Sequence, residues 1–258
     1  LLIKNLPSNI RIIDLSADFR LDEVKDYETW YNFIHNSGNK IKEFTYGLSE
    51  LNRNKIKDSK NISNPGCYAT SVLVPLLPLI KNNLIKVENI IIDAKSGYSG
   101  AGKTTKTKDL LKEVKENIKT YGVGDHSHIS EINQEMTKLN SNKLIEVFFS
   151  ANLIPVERGI LSNIYISPRE NVDFDDLYNC LDVQFKNEIF VSLLPENEIP
   201  VTKDVVNTNK IIIGLKKGYK SNVFCIVSVL DNLVKGAAGQ AMQNFNIMNN
   251  FNEGLGIQ

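Results

Sequence analysis

The hydrophobic positions of this chain fall into short runs rich in Ile, Val and Phe, and polar segments separate these runs. Runs of this length and composition are typical of β-strands. By contrast, residues 17–60 are polar and irregular, with only scattered aromatic side chains. The pattern predicts strands at 11–16, 90–94, 146–149, 160–166, 189–193, 211–215 and 223–230.

Three further segments predict helices. The apolar run 72–80 is long enough for a buried helix, and Pro75 predicts that this helix is either short or bent. The other two helices are expected at about 130–139 and 233–248. Small residues at 236–239 predict that the last helix packs closely against another backbone.

Many strands with few helices between them predict an α+β layer, in which helices cover one face of a mostly antiparallel sheet. The strand at 11–16 differs because it ends in polar residues, as strands of open α/β sheets do at the edge where ligands bind. One such strand cannot form a sheet. We therefore expect the chain to be a fragment that lacks preceding strands and helices.

The composition is that of an ordinary globular protein. Of 258 residues, 42% are hydrophobic and 23% charged, and 30 basic side chains balance 30 acidic ones, which gives no argument for a nucleic-acid or membrane partner. Three widely spaced cysteines form neither a disulfide framework nor a zinc-ligand pattern. No apolar run reaches about 18 residues, and no signal peptide is visible. We expect a cytoplasmic protein without a metal site.

The most informative residue is Cys67, which lies between the turn residues Asn64-Pro65-Gly66 and the predicted helix. At a helix N-terminus, unpaired N–H groups and the positive end of the helix dipole favour a thiolate. Such a position can lower a cysteine pKa from about 8.5 to about 3.5–7.5, and a thiolate is a strong nucleophile. A buried structural thiol is the alternative, and position alone leaves both open.

A second cluster contains two of the three histidines of the chain, His126 and His128, together with Glu131. Residues three apart share one face of a helix, so Glu131 would orient the His128 imidazole and stabilise its charged form. With a nucleophile elsewhere, this pair predicts a Cys–His–carboxylate site. Zinc binding is a weaker alternative because no third ligand is obvious nearby. The last alternative is a surface helix start capped by Ser127 or Ser130.

Two loops could contact a ligand. Successive N–H groups of the Gly-rich segment 96–103 could form an anion-binding nest, although the segment is neither a dinucleotide fingerprint nor a P-loop. A flexible surface loop is the alternative. Arg158, which precedes Gly159, could present its planar guanidinium to a carboxylate or a phosphate. Its alternative is a solvated loop arginine.

Seven motifs together resemble the N-acetyl-gamma-glutamyl-phosphate reductase family, which is itself similar to the aspartate-semialdehyde dehydrogenases. They occur in the order of the family and span nearly the whole chain, so the combination is specific although each motif is modest. Two features depart from the family: its Gly-rich strand–turn–helix for the NADP phosphates has no counterpart before Leu1, and Ser127 stands where many members have Arg. The motifs are DLSADFR at 14–20, YGL at 46–48, NPGCY at 64–68, SGYSGAG at 96–102, HSH at 126–128 with Glu131, RGI at 158–160 and DNLVKGAAGQ at 231–240.

The resemblance implies a reaction, the NADPH-dependent reduction of N-acetyl-gamma-glutamyl phosphate to N-acetylglutamate semialdehyde with release of phosphate, in arginine biosynthesis. The Cys67 thiolate would attack the acyl-phosphate carbonyl, phosphate would leave, and hydride from NADPH would reduce the thioester. His128, oriented by Glu131, would move the protons, with His126 as the alternative for this role.

The resemblance also implies the residues that bind the two small molecules. The acyl-phosphate substrate would contact Arg158, Asn64 and Arg20. The nicotinamide end of NADP would be lined by Ser16, Gly97, Ser99, Gly100, Ala101, Gly102 and Asn232.

The implied fold combines α/β and α+β units. Residues 1–62 would be the remnant of a Rossmann-type dinucleotide-binding domain, and 63–230 an α+β substrate and dimerisation domain with a mostly antiparallel sheet. Residues 231–258 would be a C-terminal helix that returns to the first domain. The protein would assemble as a homo-oligomer, either a dimer or a tetramer.

Three hypotheses about function remain open on the sequence. The chain could be part of a complete reductase. It could also be a non-catalytic fragment that keeps the substrate domain but cannot hold NADPH. The third is a sister reductase that acts on another acyl phosphate, such as an aspartyl or aminoadipyl phosphate.

Overall fold

The computed structural model of the protein describes residues 3, 6, 7, 9–101, 114–141, 143–196 and 198–257. Within these ranges the strands form two sheets, one of three strands and one of seven. The cysteine and histidine motifs lie on helices that contact the larger sheet or each other.

The smaller sheet is parallel throughout, as expected for a remnant of an open α/β sheet. Its strands have the spatial order β1-β3-β2, with β1 at Ile12–Asp14, β2 at Phe44–Tyr46 and β3 at Asn61–Ser63. Helices α1 (Val24–Tyr31) and α2 (Ser49–Asp58) lie in the connections between these strands.

The larger sheet is mostly antiparallel, which confirms the prediction for this part of the chain. Its spatial order is β5-β6-β4-β7-β10-β9-β8, and only the β4–β6 and β8–β9 pairs are parallel. The strands are β4 (Ile85–Gly97), β5 (Lys119–Tyr121), β6 (Phe148–Ile154), β7 (Ile160–Pro168), β8 (Val191–Leu193), β9 (Ile211–Lys217) and β10 (Phe224–Leu230).

Helix α3 (Cys67–Lys81) lies in the middle of the core, and all its residues from 68 to 80 are buried. It packs against β7 and against helices α4 (His128–Leu139) and α5 (Phe174–Phe185). The helix continues through Pro75 and Pro78, so the expectation of a short helix is wrong. A proline inside a helix costs about 3 kcal/mol, and burial of apolar side chains on every side offsets that cost.

The end of the chain returns to the smaller sheet. A π-helical turn at Val234–Ala238 leads into helix α6 (Gly239–Met248), and α6 packs against α2 and β1. The π turn itself packs against α3. The predicted last helix therefore starts with a widened turn rather than a regular one.

Two regions contain helices that the hydrophobic pattern did not predict. Residues 17–60 include α1 and α2, and 146–230 include α5. Helix α5 begins with a capping box in which Asp173 and Asp176 each accept from the other's backbone N–H. That local signal was present in the sequence, but the predominance of strands around it concealed it.

Candidate functional site

Cys67 is the first residue of α3, as the turn before it predicted. Gly66 is the N-cap residue in an extended conformation, and Asn64 directly follows β3. The Asn64 N–H donates to the Asp14 carbonyl at the end of β1, at 2.8 Å. The thiol thus lies where the carboxyl ends of the parallel strands meet the helix N-terminus.

The thiol is not the preformed thiolate that the helix position alone suggested. Burial raises the pKa of Cys67 to about 11, although the Arg20 guanidinium and the N–H of Tyr68 lower it. Desolvation of the charged form outweighs both stabilising effects. Cys67 is therefore a thiol near neutral pH, and a base must remove its proton.

His128 and Glu131 both lie against Gly66, the residue before Cys67. A Cβ built on Gly66 would be 2.5 Å from His128 Nε2 and 2.9 Å from Glu131 Oε2. These distances are shorter than van der Waals contact, so only glycine fits here. The packing joins the two sequence motifs, which lie about 60 residues apart in the chain, in one site.

Glu131 holds the turn before Cys67. Its Oε1 accepts from the Gly66 N–H at 2.8 Å and from the Tyr46 hydroxyl at 2.5 Å. Its Oε2 lies 3.7 Å from Arg20 Nη1. Burial raises the pKa of Glu131, and the Arg20 charge opposes this. Among the hydrogen bonds of the described residues, none joins Glu131 to His128, so the expected carboxylate–imidazole bond is replaced by a contact with the backbone.

Arg20 and Asn64, which the family resemblance assigns to substrate binding, are both buried. Arg20 donates through Nε to the Asn64 carbonyl at 2.8 Å and through Nη2 to the Leu15 carbonyl at 2.9 Å. The Asn64 amide donates to the Ala237 carbonyl at 3.2 Å. Both side chains thereby stabilise the loop that precedes Cys67.

The two histidines lie beside each other and are neutral near pH 7. Burial, together with the nearby His126 and Arg20, lowers the pKa of His128 well below 6.5, and burial lowers the pKa of His126 to about 4. His126 Nδ1 accepts from the His128 backbone N–H at 3.1 Å. The described hydrogen bonds include none between the Cys67 sulfur and either imidazole.

The start of α4 is part of the core. Ser130 and Glu131 are buried, and Ser127 is helical and makes no side-chain capping bond. The alternative of a surface helix start with a serine cap is therefore wrong.

Two tyrosines complete the surroundings of the histidines, and sequence reasoning missed them. The hydroxyls of Tyr68 and Tyr121 lie 2.9 Å apart, and both rings contact His126. Tyr68 directly follows Cys67, which was the one signal available in the sequence. Burial raises the pKa of both phenols, so they are neutral donors beside the imidazoles.

The Gly-rich loop does not form an anion nest with its first three N–H groups. Those of Gly97, Tyr98 and Ser99 donate to carbonyls of the segment 156–159, at 2.9–3.1 Å. A Cβ on Gly97 would be 2.5 Å from the Glu157 carbonyl oxygen. This loop therefore supports the Arg158 loop. Gly100 lies in a 3-10 turn at Tyr98–Ala101. Ala101 is described by its backbone alone, and Gly102 lies outside the described residues.

Asn232 links these two loops. Its Oδ1 accepts from the Gly159 N–H at 2.8 Å, and its Nδ2 donates to Ser99 Oγ at 2.9 Å. Arg158 next to it is 25% exposed. Arg158 donates through Nη1 to Asn207 Oδ1 at 2.5 Å, and its Nε lies 3.2 Å from Asp231 Oδ2. The guanidinium has further N–H donors beyond these two nitrogens.

Gly236, in the C-terminal segment, packs directly against Cys67. A Cβ on Gly236 would be 2.7 Å from Cys67 Cβ and 3.3 Å from Cys67 Cα. The prediction that the small residues at 236–239 pack against another backbone is confirmed. No local pattern indicated that the partner would be the cysteine itself.

Ser16 follows β1 at the edge of a cleft of about 340 Å³. Its hydroxyl lies within 3 Å of both Asp14 carboxylate oxygens and accepts from the Asp18 N–H at 3.2 Å. The cleft is also lined by Phe19 and His35.

In the described part of the chain, no group of three or more His, Cys, Asp or Glu side chains could hold a metal ion. The described helices also include none that is long and apolar enough to cross a membrane.

Comparison with known proteins gives consistent names. Residues 67–232 match the family described as semialdehyde dehydrogenase, dimerisation domain. A probable chloroplastic N-acetyl-gamma-glutamyl-phosphate reductase of Oryza sativa is 43% identical over 257 residues, which are 100% of this chain and 62% of that protein. An N-acetyl-gamma-glutamyl-phosphate reductase of Ehrlichia canis is 43% identical over 99% of this chain and 73% of its own length.

The fold is similar to that of solved semialdehyde dehydrogenases. Aspartate semialdehyde dehydrogenase II from Vibrio cholerae superimposes with a TM-score of 0.65 at 17% identity, covering 96% of this chain and 82% of that chain. At this identity the likeness shows the fold alone. The chain spans 62% and 64% of the length of the rice and Arabidopsis relatives that it matches.

Proposed function

Because this chain belongs to the N-acetyl-gamma-glutamyl-phosphate reductase family, we propose that the complete protein reduces N-acetyl-gamma-glutamyl phosphate to N-acetylglutamate semialdehyde, in arginine biosynthesis. The observation that carries the proposal is the packing of His128 and Glu131 on Gly66, directly before Cys67. A thiol, a neutral imidazole and a buried carboxylate at one helix N-terminus are the components of acyl transfer through a thioester.

In the first step, the Cys67 sulfur attacks the carbonyl carbon of the acyl phosphate. The C–S bond forms, the bond from carbon to the phosphate oxygen breaks, and phosphate leaves with the electron pair and takes up one proton from solvent. Since the pKa of Cys67 is raised to about 11 and that of His128 is lowered, the resting pair is a thiol and a neutral imidazole. His128 therefore acts as the general base that takes the thiol proton during attack.

In the second step, His128 gives that proton to the oxygen of the reduced thioester carbon and takes it back as the C–S bond breaks. The aldehyde leaves and the thiol re-forms. His126 helps to position His128 because its Nδ1 accepts a hydrogen bond from the His128 backbone N–H. Glu131 and Arg20 position the turn that carries the nucleophile.

The chain fits the nicotinamide and ribose end of NADP better than its phosphates. The cleft beside β1 lies at the carboxyl end of a parallel strand, where ligands of such sheets bind. Its described lining includes Asp14 and Asp18 and no lysine or arginine, which suits hydroxyl groups and disfavours phosphate. When bound, the cofactor supplies the hydride that reduces the thioester carbon. Within the proposal, Ser16 lines this cleft, and Asn232 and the Gly-rich segment that begins at Gly97 are assigned to the same end of the cofactor.

The substrate carboxylate is assigned to Arg158. Its guanidinium is partly exposed and is held in a fixed direction by Asn207 and Asp231. The proposal also divides the chain into two parts. Residues 1–62 and 231–258 form the cofactor side, and 63–230 form the catalytic side. The packing of α6 on α2 and β1 supports this division.

Assembly as a homo-oligomer of a cytoplasmic protein completes the proposal. The larger sheet presents a row of side chains from four neighbouring strands, Phe148, Ile91, Tyr165 and Cys225, which pair in register. The first three are 54%, 44% and 36% exposed. An apolar row of this kind on one sheet face suits contact with the same face of a second copy.

The test is an assay of the complete protein with NADP, phosphate and three semialdehydes in parallel: N-acetylglutamate, aspartate and aminoadipate semialdehyde. We expect phosphate-dependent oxidation of the first, and its loss in Cys67→Ser, because a hydroxyl is a much weaker nucleophile than a thiol at the same position. Preference for another semialdehyde would identify a sister reductase. Retained turnover by Cys67→Ser would remove the thioester from the mechanism.

A further inference from the structure

Lys235 is a fully buried lysine that the proposed reaction does not use. Its ammonium forms an ion pair with Glu50, which is also fully buried, and donates to Gln243 Oε1 at 2.7 Å. Desolvation would raise the pKa of Glu50, but the Lys235 charge and hydrogen bonds lower it overall. The Glu50 carboxyl is therefore in its charged form inside the protein.

This ion pair lies directly behind the nucleophile. Lys235 belongs to the π turn Val234–Ala238, and the next residue, Gly236, packs against Cys67 Cα and Cβ. One residue further on, the Ala237 carbonyl accepts from the Asn64 amide at 3.2 Å. The turn thus contacts the cysteine loop on both sides of Pro65.

The other end of the ion pair is anchored on α2. Gln243 of α6 donates to Glu50 Oε1 at 3.0 Å and accepts from Asn209 at 3.0 Å. The Glu50 carboxylate, itself on α2, is therefore held by Gln243 of α6 and by Lys235 of the π turn. Lys235 connects this rigid part of the protein to the turn that touches Cys67.

The π turn needs such a restraint. A π turn is a rare, widened turn that is frequently found at functional sites. Two charges buried together prefer one geometry, because any displacement leaves an uncompensated charge in a poorly solvating interior. Gly236 is the next residue in the chain, so a Lys235 held in one place also restricts where Gly236 can lie.

We propose that Lys235 is a positioning residue for Cys67, which through its ion pair with Glu50 holds Gly236 against the nucleophile and so sets the place and burial of the thiol. The inference rests on the proposed function only in taking Cys67 as the catalytic nucleophile. The contacts from Glu50 to Cys67 do not depend on which substrate the protein uses.

The experiment measures alkylation of Cys67 by iodoacetamide at pH 8 in the complete protein, with Cys180 of the same molecule as the reference. Peptide mass spectrometry gives the ratio of the two rates. In Lys235→Met the π turn loses the ion pair with Glu50, and the Cys67 thiol becomes more exposed to solvent. We expect the Cys67 to Cys180 ratio to rise about tenfold, which is what a fall of one pKa unit would give. In turnover, kcat should fall while KM for the semialdehyde changes little.

Two further variants decide whether Lys235 acts through Glu50. Glu50→Gln, which keeps the carboxyl shape, should raise the same ratio, and the double variant should equal Lys235→Met instead of multiplying the two effects. If Lys235→Met does not fold, Glu50→Gln carries the test alone. Lys138→Met is the matched control, since it removes a lysine paired with Glu135 and Asp22 that does not contact the turn.

An unchanged ratio would overturn the proposal, as would equal acceleration of both cysteines, which indicates general destabilisation. Multiplicative effects in the double variant would also overturn it, because Lys235 would then act independently of Glu50. If the wild-type protein showed no reductase turnover, the proposed function would fail while the alkylation ratios still tested Lys235.

Discussion

The imidazole of His128 rests on Gly66, so closely that a Cβ at position 66 would lie 2.5 Å from Nε2. Cys67 and the imidazole of His128 are therefore positioned by the same residue, which has no side chain. The Gly66 N–H also donates a hydrogen bond to the Glu131 carboxylate. Any side chain at this position would disturb the base, the carboxylate and the start of α3 together.

Gly66→Ala should reduce turnover of the complete protein by about 100-fold, the size of effect that a displacement of about 1 Å in an active site can cause. The added methyl group must push His128 or Glu131 away from its present position. Steady-state kinetics of the semialdehyde oxidation measures the effect. Gly254→Ala is the matched control, since its Cβ would make only ordinary contact at 3.4 Å. Equal activity of the two variants would contradict the prediction.

Cys67 should alkylate more slowly than Cys180 near neutral pH, and its rate should rise with pH toward about 11. Burial raises the pKa of Cys67 to about 11, so the reactive thiolate is scarce at pH 7. Burial raises the pKa of Cys180 as well, but a hydrogen bond from Asn82 opposes this. The measurement is the iodoacetamide rate of each peptide from pH 7 to 10. A plateau of the Cys67 rate below pH 8 would instead indicate a preformed thiolate.

His126 should make the protein less stable in mild acid. Its pKa is about 4 in the folded protein because of burial, and about 6.5 in the unfolded chain. Between these values the unfolded state binds the extra proton, so the free energy of unfolding falls as pH decreases from about 6.5 to 4, by about 1–3 kcal/mol.

His126→Asn tests this sign, because the Asn side-chain oxygen can still accept from the His128 N–H while carrying no titrating group. Urea unfolding at pH 7 and pH 5 should show a smaller loss of stability for this variant than for the wild-type protein. Identical losses would assign the acid sensitivity to other groups, His128 among them.

Tyr165→Glu should weaken self-association of the protein. Tyr165 is central in the exposed row on the larger sheet, with Ile91 and Cys225 as its cross-strand partners, and a charge there would have to be buried between two copies. Sedimentation velocity over a range of concentrations measures the oligomeric state. The control is Tyr219→Glu, at a residue that is 88% exposed and outside the row. An unchanged oligomer for Tyr165→Glu would exclude this face.

Much of the architecture followed from local patterns. Short apolar runs rich in Ile, Val and Phe located most strands of the larger sheet, because these strands contribute to the buried core. The turn Asn64-Pro65-Gly66 correctly predicted that Cys67 begins a helix. The prolines in α3 misled the same reasoning, since the cost of each is offset by burial that only the packed core supplies.

The sequence by itself determined that Cys67 stands at a helix start, since turn and helix signals depend on neighbouring residues. It also singled out Cys67, His128 and Glu131 as candidates for the chemistry. Only the tertiary structure decided the charge of the thiol, the partner of Glu131 and the neighbour of Gly236. The physical reason is that burial and contacts between distant segments set pKa values and hydrogen-bond partners. Helix position favoured a thiolate at Cys67, and desolvation in the folded protein outweighed it.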